Sequence, residues 1–270
     1  MISLVLLPIS IIAGFIGSIL GLGGGVVIVP VLTLYFGVEI RYAVAASLIS
    51  IIATSSGAAA SFLRDHLTNV RLAILLEIGT VFGAMTGFLL SSSLKSSSLY
   101  IFFGGFLLFS ALMMFRQKND PRAEINHLWS EKLGLNSKFP ENGKWIHYNL
   151  ANIPLGLLIM YFAGIISGIL GIGSGIFKIL AMDSAMKVPM KVSSATSNFM
   201  IGVTAAASAG AYFLRGDVKP EIASPVAIGI IIGAWLGAKV MPKLNAKVIR
   251  KAFIIVMIIA ATQMIMKGLS

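Results

Sequence analysis

The chain has 270 residues, 57% of them hydrophobic and 11% charged, with a mean hydropathy of +0.93. That leaves too little polar surface to clothe a water-soluble globule of this size, so the sequence reads as an integral membrane protein. The absence of Cys excludes disulfide scaffolds, thiolate metal sites and Cys nucleophiles. The formal charge of +11 is informative through its distribution among loops and is no argument for nucleic acid.

In chain order, eight apolar stretches are long enough to cross roughly 30 Å of hydrocarbon, which takes about 20 helical residues. They are 2–38, 42–63, 72–94, 99–115, 150–186, 192–214, 222–238 and 248–266. The first lacks the basic n-region of a secretory leader and continues past any cleavage site, so it reads as a membrane segment. Stretches 2–38 and 150–186 are each about twice a spanning length. Each is interrupted by glycines, Gly21-Leu-Gly23-Gly24-Gly25 in one and Gly171-Ile-Gly173-Ser174-Gly175 in the other. Glycine weakens a helix and bares its backbone, so each stretch is expected to form two helices meeting at a turn.

These breaks expose a duplication. At a shift of 150 residues Gly14, Ile16, Ile19, Leu20, Gly21, Gly23 and Gly25 recur, as do Ala45, Ser47, Thr54, Gly79, Gly83, Ala84 and Gly87. An internal repeat of this length is the mark of a transporter built from two equivalent halves. Loop charge then bears on orientation. If each broken stretch returns to the side it started from, sixteen Lys and Arg collect on one side and five on the other; if each crosses once, the two sides come out nearly equal. The positive-inside rule favours the first arrangement. The expected fold is therefore an all-α integral membrane protein with two inverted repeats of about five helical segments each. Residues 1–115 form the first repeat, 116–148 a cytoplasmic connecting loop and 149–270 the second repeat, with both termini outside. The loop is too short for a folded domain of its own and reads as a tether, or else as a partner surface.

A helix that begins at Gly24 or Ser174 inside the membrane presents unpaired N–H groups and the positive end of its dipole. Two such ends converging near the midplane suit a small anion. The candidate site therefore takes in Gly21, Gly23, Gly24, Gly25, Gly171, Gly173, Ser174 and Gly175; the competing reading is that these glycines only permit close packing. Ser47 and Thr54 in the first half, and Ser197, Asn198 and Thr204 in the second, could complete the shell with hydroxyl and amide donors, or bond back to their own helices. Lys178, four residues past Ser174, either reaches the anion or snorkels to the interface. Glu77 is a possible proton carrier for coupling, against an interfacial or Arg-paired carboxylate, and Asp183 is expected to pair with Lys187. Gly83-Ala-Met-Thr-Gly87 and Gly233-Ala-Trp-Leu-Gly237 are small-xxx-small faces for helix contact, within the fold or in a homodimer. His66, His127 and His147 all lie in loops. No His or Cys is available in the bilayer, so no metal, cofactor or enzyme chemistry is expected. A dinucleotide-binding reading of the glycines fails because their flanks are membrane helices.

The Gly-x-Gly-Gly-Gly break followed by Pro30, then Ala45-Ala-Ser47-Leu, then Arg215-Gly-Asp-Val, resembles the sulfite exporter TauE/SafE family, which includes the YfcA-like proteins. The resemblance covers nearly the whole chain outside the central loop. It implies a multi-pass permease of a prokaryotic plasma membrane, secondary active and exporting sulfite, organosulfonates or other small anions by alternating access. An anion channel, or a permease for another oxyanion or carboxylate, is the alternative. The sequence departs from the family pattern at Leu180, where proline is expected, and at Lys178 and Asp183, which enter a helix that is apolar in the first half.

Overall fold

Glycine and proline set the helix boundaries. In the computed structural model, which describes residues 2–20, 23–116, 130, 132–141, 144–240 and 246–270, α1 (Ile2–Leu20) stops ahead of the first glycine run. A short α2 (Gly25–Pro30) follows and widens into a π turn, Val31–Tyr35. Then come α3 (Ile40–Arg64), α4 (Val70–Ser92) and α5 (Ser96–Arg116). After a β-hairpin the pattern returns as α6 (Ile153–Leu170), α7 (Gly175–Leu180), a π turn Ala181–Ala185, α8 (Met190–Leu214), α9 (Pro220–Val240) and α10 (Ala246–Leu269). The starts of α2, α3, α4 and α5 each lie 150 residues before those of α7, α8, α9 and α10. Among the described residues five helices are long and apolar enough to cross a membrane: Ile40–Arg64, Val70–Ser91, Ser96–Met113, Ile153–Leu170 and Pro220–Val240. Shorter apolar helices accompany them.

The π turn after α7 forms although Leu180, the last residue of α7, occupies the place that Pro30 has at the end of α2. Loss of a proline donor is therefore not what widens the helix. Long backbone bonds close both turns: Val38 N–H donates to the Leu32 carbonyl at 3.0 Å and Val188 N–H to the Met182 carbonyl at 2.8 Å.

Close helix packing explains most of the remaining glycines. Gly79, Gly83 and Gly87 on α4 lie against the backbone of α6 at Leu157, Tyr161 and Ile165. Gly229, Gly233 and Gly237 on α9 meet α1 at Leu7, Ile11 and Phe15. A methyl group at any of these positions would run into a carbonyl of the neighbouring helix, so the small-xxx-small pattern brings two backbones together. This corrects the dimer expectation. The Gly83 and Gly233 faces are already covered inside the chain and offer no surface to a second copy. The other large contacts run between α3 and α8, α3 and α9, α4 and α8, and α5 and α10.

The connecting segment is more than a tether. Strands β1 (Ser137–Glu141) and β2 (Lys144–Tyr148) form an antiparallel hairpin whose buried Phe139 and Tyr148 join the core around α4. Asn69 ties the pieces together. Its Oδ1 accepts from Leu72 N–H at 3.1 Å, capping α4, while its Nδ2 donates to the Leu135 carbonyl and to Tyr148 Oη, both at 3.0 Å. Its own N–H donates to Thr196 Oγ1 on α8 at 3.1 Å, and Lys191 Nζ lies 3.4 Å from Glu141 Oε1. At the other end of α8 the Arg215-Gly-Asp-Val stretch folds on itself. Arg215 pairs with Asp217, and its guanidinium stacks over Phe88 at 4.8 Å and Tyr212 at 4.6 Å.

Candidate functional site

The two glycine breaks meet at the crossing of α3 and α8. Gly23 and Gly24 have φ of +77° and +71°, and Gly171 and Gly173 +63° and +67°, a left-handed region open to glycine at little cost. Ser174 holds φ +50° without that freedom. Gly21 lies outside the described residues. A Cβ placed on Gly25 would come 3.2 Å from the Gly171 carbonyl oxygen, so the two breaks touch. Ile51 of α3 and Ile201 of α8, themselves 150 residues apart and both fully buried, pack between them and line Gly23 and Gly173.

At each break a helix starts without a side-chain cap. Val27 and Ile28 N–H both donate to the Gly24 carbonyl, at 3.0 and 3.1 Å, and Lys178 N–H donates to the Ser174 carbonyl at 3.1 Å. The N–H groups that precede these, from Gly25 in α2 and Gly175 in α7, come before the first intrahelical acceptor. They form two sets of donors at two breaks that touch. Ser174 Oγ and Asn198 Oδ1 are buried there without a protein partner.

The hydroxyls expected on one face of α3 and α8 do reach the breaks, but they act on carbonyls. Ser47 Oγ donates to the Gly171 carbonyl at 2.5 Å, Thr54 Oγ1 to the Gly23 carbonyl at 3.2 Å and Ser197 Oγ to the Gly175 carbonyl at 3.3 Å. Asn198 Nδ2 donates to the Ser18 carbonyl at 2.8 Å and to that of Ser194 at 3.1 Å. Gly171 stands at the C-terminus of α6, where carbonyls lose their intrahelical donors, and in a bilayer interior no bulk water can satisfy them. These side chains therefore hold the breaks open and in register.

Lys178 does not snorkel to an interface. Its side chain is fully buried and its Nζ lies 3.2 Å from Glu77 Oε2. Thr204 Oγ1 accepts from the ammonium and donates to Glu77 Oε1, and Thr80 Oγ1 is 3.4 Å further on. Glu77, for which an interfacial place or an Arg partner was expected, is instead the carboxylate of a buried Lys pair. It also lines an apolar cleft of about 400 Å³ between α4 and α8, with Ala73, Val81, Phe199 and Val203 among its walls. Sequence reasoning missed this pairing and the roles of Thr80, Ile51 and Ile201. The available signal was that two ionisable groups, 101 residues apart, each interrupted an apolar stretch and needed a partner. Among the described residues no group of three His, Cys, Asp or Glu side chains is arranged to hold a metal ion.

Helices with broken centres, backbone donors at membrane depth and a buried ion pair describe a multi-pass membrane transporter rather than an enzyme. The profile of the Sulfite exporter TauE/SafE family matches residues 6–264, and the chain belongs to that family. It is 28% identical to the probable membrane transporter protein YunE of Bacillus subtilis, over 98% of both chains. It is 31% identical to the probable membrane transporter protein MJ0441 of Methanocaldococcus jannaschii, over 92% of this chain and 91% of that one. A shorter match, 33% identical over 39% of this chain and 23% of the other, is to sulfite exporter TauE/SafE family protein 3 of Arabidopsis thaliana. No solved structure matches.

Proposed function

We propose that the protein is a secondary transporter of small anions of the sulfite or organosulfonate class, which it exports by alternating access with the anion held at the two glycine breaks. The observation that carries this reading is the convergence of the breaks. Gly25 and Gly171 are in contact, and each break opens a helix whose first N–H groups lack an intrahelical acceptor, a geometry that favours negative charge. Ile51 and Ile201, both fully buried, pack against both breaks from α3 and α8.

The two halves are taken as inverted repeats. In support, α1 packs on α9 while α6 packs on α4, an exchange of partners between elements about 150 residues apart, and loop charge favours the orientation with 116–148 in the cytoplasm and both termini outside.

The test is purified protein, in detergent and in liposomes, challenged with sulfite, isethionate, methanesulfonate, sulfate and acetate, with choline as a cation control. Binding to the folded state raises thermal stability by mass action, and flux across the liposome membrane reports transport. Stabilisation and saturable flux with sulfite or a sulfonate are the expected result. Neither effect with any anion of the panel would overturn the proposal.

A further inference from the structure

The ion pair between Lys178 and Glu77 has no counterpart 150 residues away. There the chain places Ile28 and Ala227, and Ile28 is as fully buried as Lys178 in a short helix of the same length with the same π continuation. The fold thus fills one position with hydrocarbon in one half and with an ammonium in the other. A buried ion pair is on average no more stabilising than well-packed apolar replacements, and charge at membrane depth is retained for function by default. Packing does not account for it.

Position suggests what does. Lys178 is one helical turn from the Ser174 break, its N–H bonded to the Ser174 carbonyl. Glu77 is 7% exposed, and it lines the cleft between α4 and α8. The carboxylate therefore stands between the cleft and the ammonium, the latter on a side chain whose backbone is one turn from the break. Other ionisable groups on the helices packed against α4 engage elsewhere. On α6, Tyr161 Oη is 3.5 Å from Thr86 Oγ1. On α8, Lys191 pairs with Glu141 and Tyr212 Oη donates to the Gly168 carbonyl. On α4 itself, Arg71 donates to the Gly134 carbonyl.

We propose that Glu77 is a tethered anion that neutralises Lys178 in the empty carrier and yields it to the transported anion on taking up a proton. The inference rests on the anion-transport reading and names the coupling ion. One proton taken up from water passes to a Glu77 carboxylate oxygen, while Lys178 keeps its own proton. The pair passes from neutral to a net charge of +1, and one monoanion restores neutrality. Because an uncompensated charge is costly at this depth, neither the proton nor the anion binds well alone. They cross together, one for one, and leave the cell when the outward anion gradient exceeds the inward proton gradient. Thr204 serves both states, accepting from the ammonium while its own hydrogen turns to Glu77 or to the anion.

Isethionate and methanesulfonate are suitable probes, since their sulfonate stays ionised throughout the titration range of a carboxyl. With the purified full chain in unbuffered detergent solution and a pH indicator, sulfonate binding should take up about one proton per anion. Where proton and anion bind together, affinity should fall about tenfold per pH unit as the pH rises, as linkage to one proton requires. Glu77→Gln, which fixes a neutral side chain, should bind the sulfonate with no proton uptake and no such slope. Should the single variant unfold, the paired change Glu77→Ala with Lys178→Ile, which copies the residues at the repeat-related positions Ala227 and Ile28, should fold and show sulfonate affinity at least tenfold weaker and insensitive to pH. Sulfonate binding by the wild type without proton uptake, or an unchanged pH slope in either variant, overturns the coupling and leaves the anion site standing. Absence of binding of every probe to the wild type overturns both.

Discussion

Ser47 on α3 donates its hydroxyl hydrogen to the carbonyl of Gly171, 124 residues away, at 2.5 Å. The acceptor sits at the end of α6, where the helix stops and its last carbonyls lose their intrahelical donors. One side chain from the first half thus completes a helix end in the second. Thr54 acts on Gly23, and Ser197 on Gly175, so the breaks are tied to the long central helices that cross beside them.

Ser47→Ala should accordingly destabilise the fold by about 1–3 kcal/mol, the cost of leaving a buried carbonyl without its donor. Ser56→Ala, which removes an exposed hydroxyl bonded only to its own helix at Ile52, should be close to neutral. Reversible unfolding in mixed micelles measures both, and equal effects would remove the capping role of Ser47.

The ion pair makes a second stability prediction. Glu77→Ala or Lys178→Ile alone should cost about 3–5 kcal/mol, because each strands a charge in the interior, whereas the two together should come within about 1–2 kcal/mol of wild type. The same unfolding assay supplies the coupling energy as a double-mutant cycle. Additive losses would mean that the two side chains act independently.

Backbone features were written plainly in the sequence. The glycine runs marked where α1 and α6 end, and their 150-residue spacing is repeated in the starts of α2 and α7. Side-chain partnerships were not. Helical spacing put Ser47 and Thr54 on one face, yet spacing says nothing about whether that face meets an anion or a carbonyl of another helix. Lys178 and Glu77 looked like separate interruptions because the turn of α7 that joins them depends on tertiary packing of α4 and α8. The hairpin was obscured for a different reason. A polar segment carries little hydrophobic pattern, and only Phe139 and Tyr148 on its inward side are buried.

Glycine substitutions separate packing inside the chain from assembly between chains. Gly83→Leu or Gly233→Leu should block folding, since the side chain would meet the α6 or α1 backbone and backbone cannot move aside as a side chain can. Gly105→Leu, with nothing within 4 Å of the added carbon, should be tolerated. Fluorescence-detected size exclusion of tagged protein reads this directly. A well-folded Gly83→Leu variant whose only change is in oligomer size would restore the dimer role of that face.

The orientation in the membrane can be read chemically, because the chain has no Cys of its own. Single replacements Lys144→Cys in the hairpin, Ser97→Cys at the start of α5 and Ser270→Cys at the C-terminus all fall on exposed positions. An impermeant thiol reagent on intact cells should label the last two and spare the first until the membrane is opened. Labelling of all three from one side would remove the inverted arrangement. Asn142, expected on the cytoplasmic side like Lys144, lies outside the described residues.

The anion site itself is tested most sharply at Gly173. A Cβ there would lie 3.1 Å from both Ile51 Cδ1 and Ile51 Cγ2 and 3.5 Å from Ile201 Cβ; none of these is backbone, so Gly173→Ala should still fold with a small shift of Ile51. The cost would be the left-handed backbone at φ +67°, about 1–2 kcal/mol for a residue with a Cβ. Gly37→Ala is the matched control. Its φ is +64°, and nothing lies within 4 Å of the added carbon, so it should incur the same backbone cost at a place remote from the breaks. Both variants should therefore lose similar stability, but only Gly173→Ala should lose sulfonate binding, by tenfold or about 1.4 kcal/mol or more, because the methyl group occupies the space beside the first N–H groups of α7. Calorimetric titration with methanesulfonate compares them at matched fractions folded. Equal affinities in the two variants would place the anion somewhere other than the glycine break.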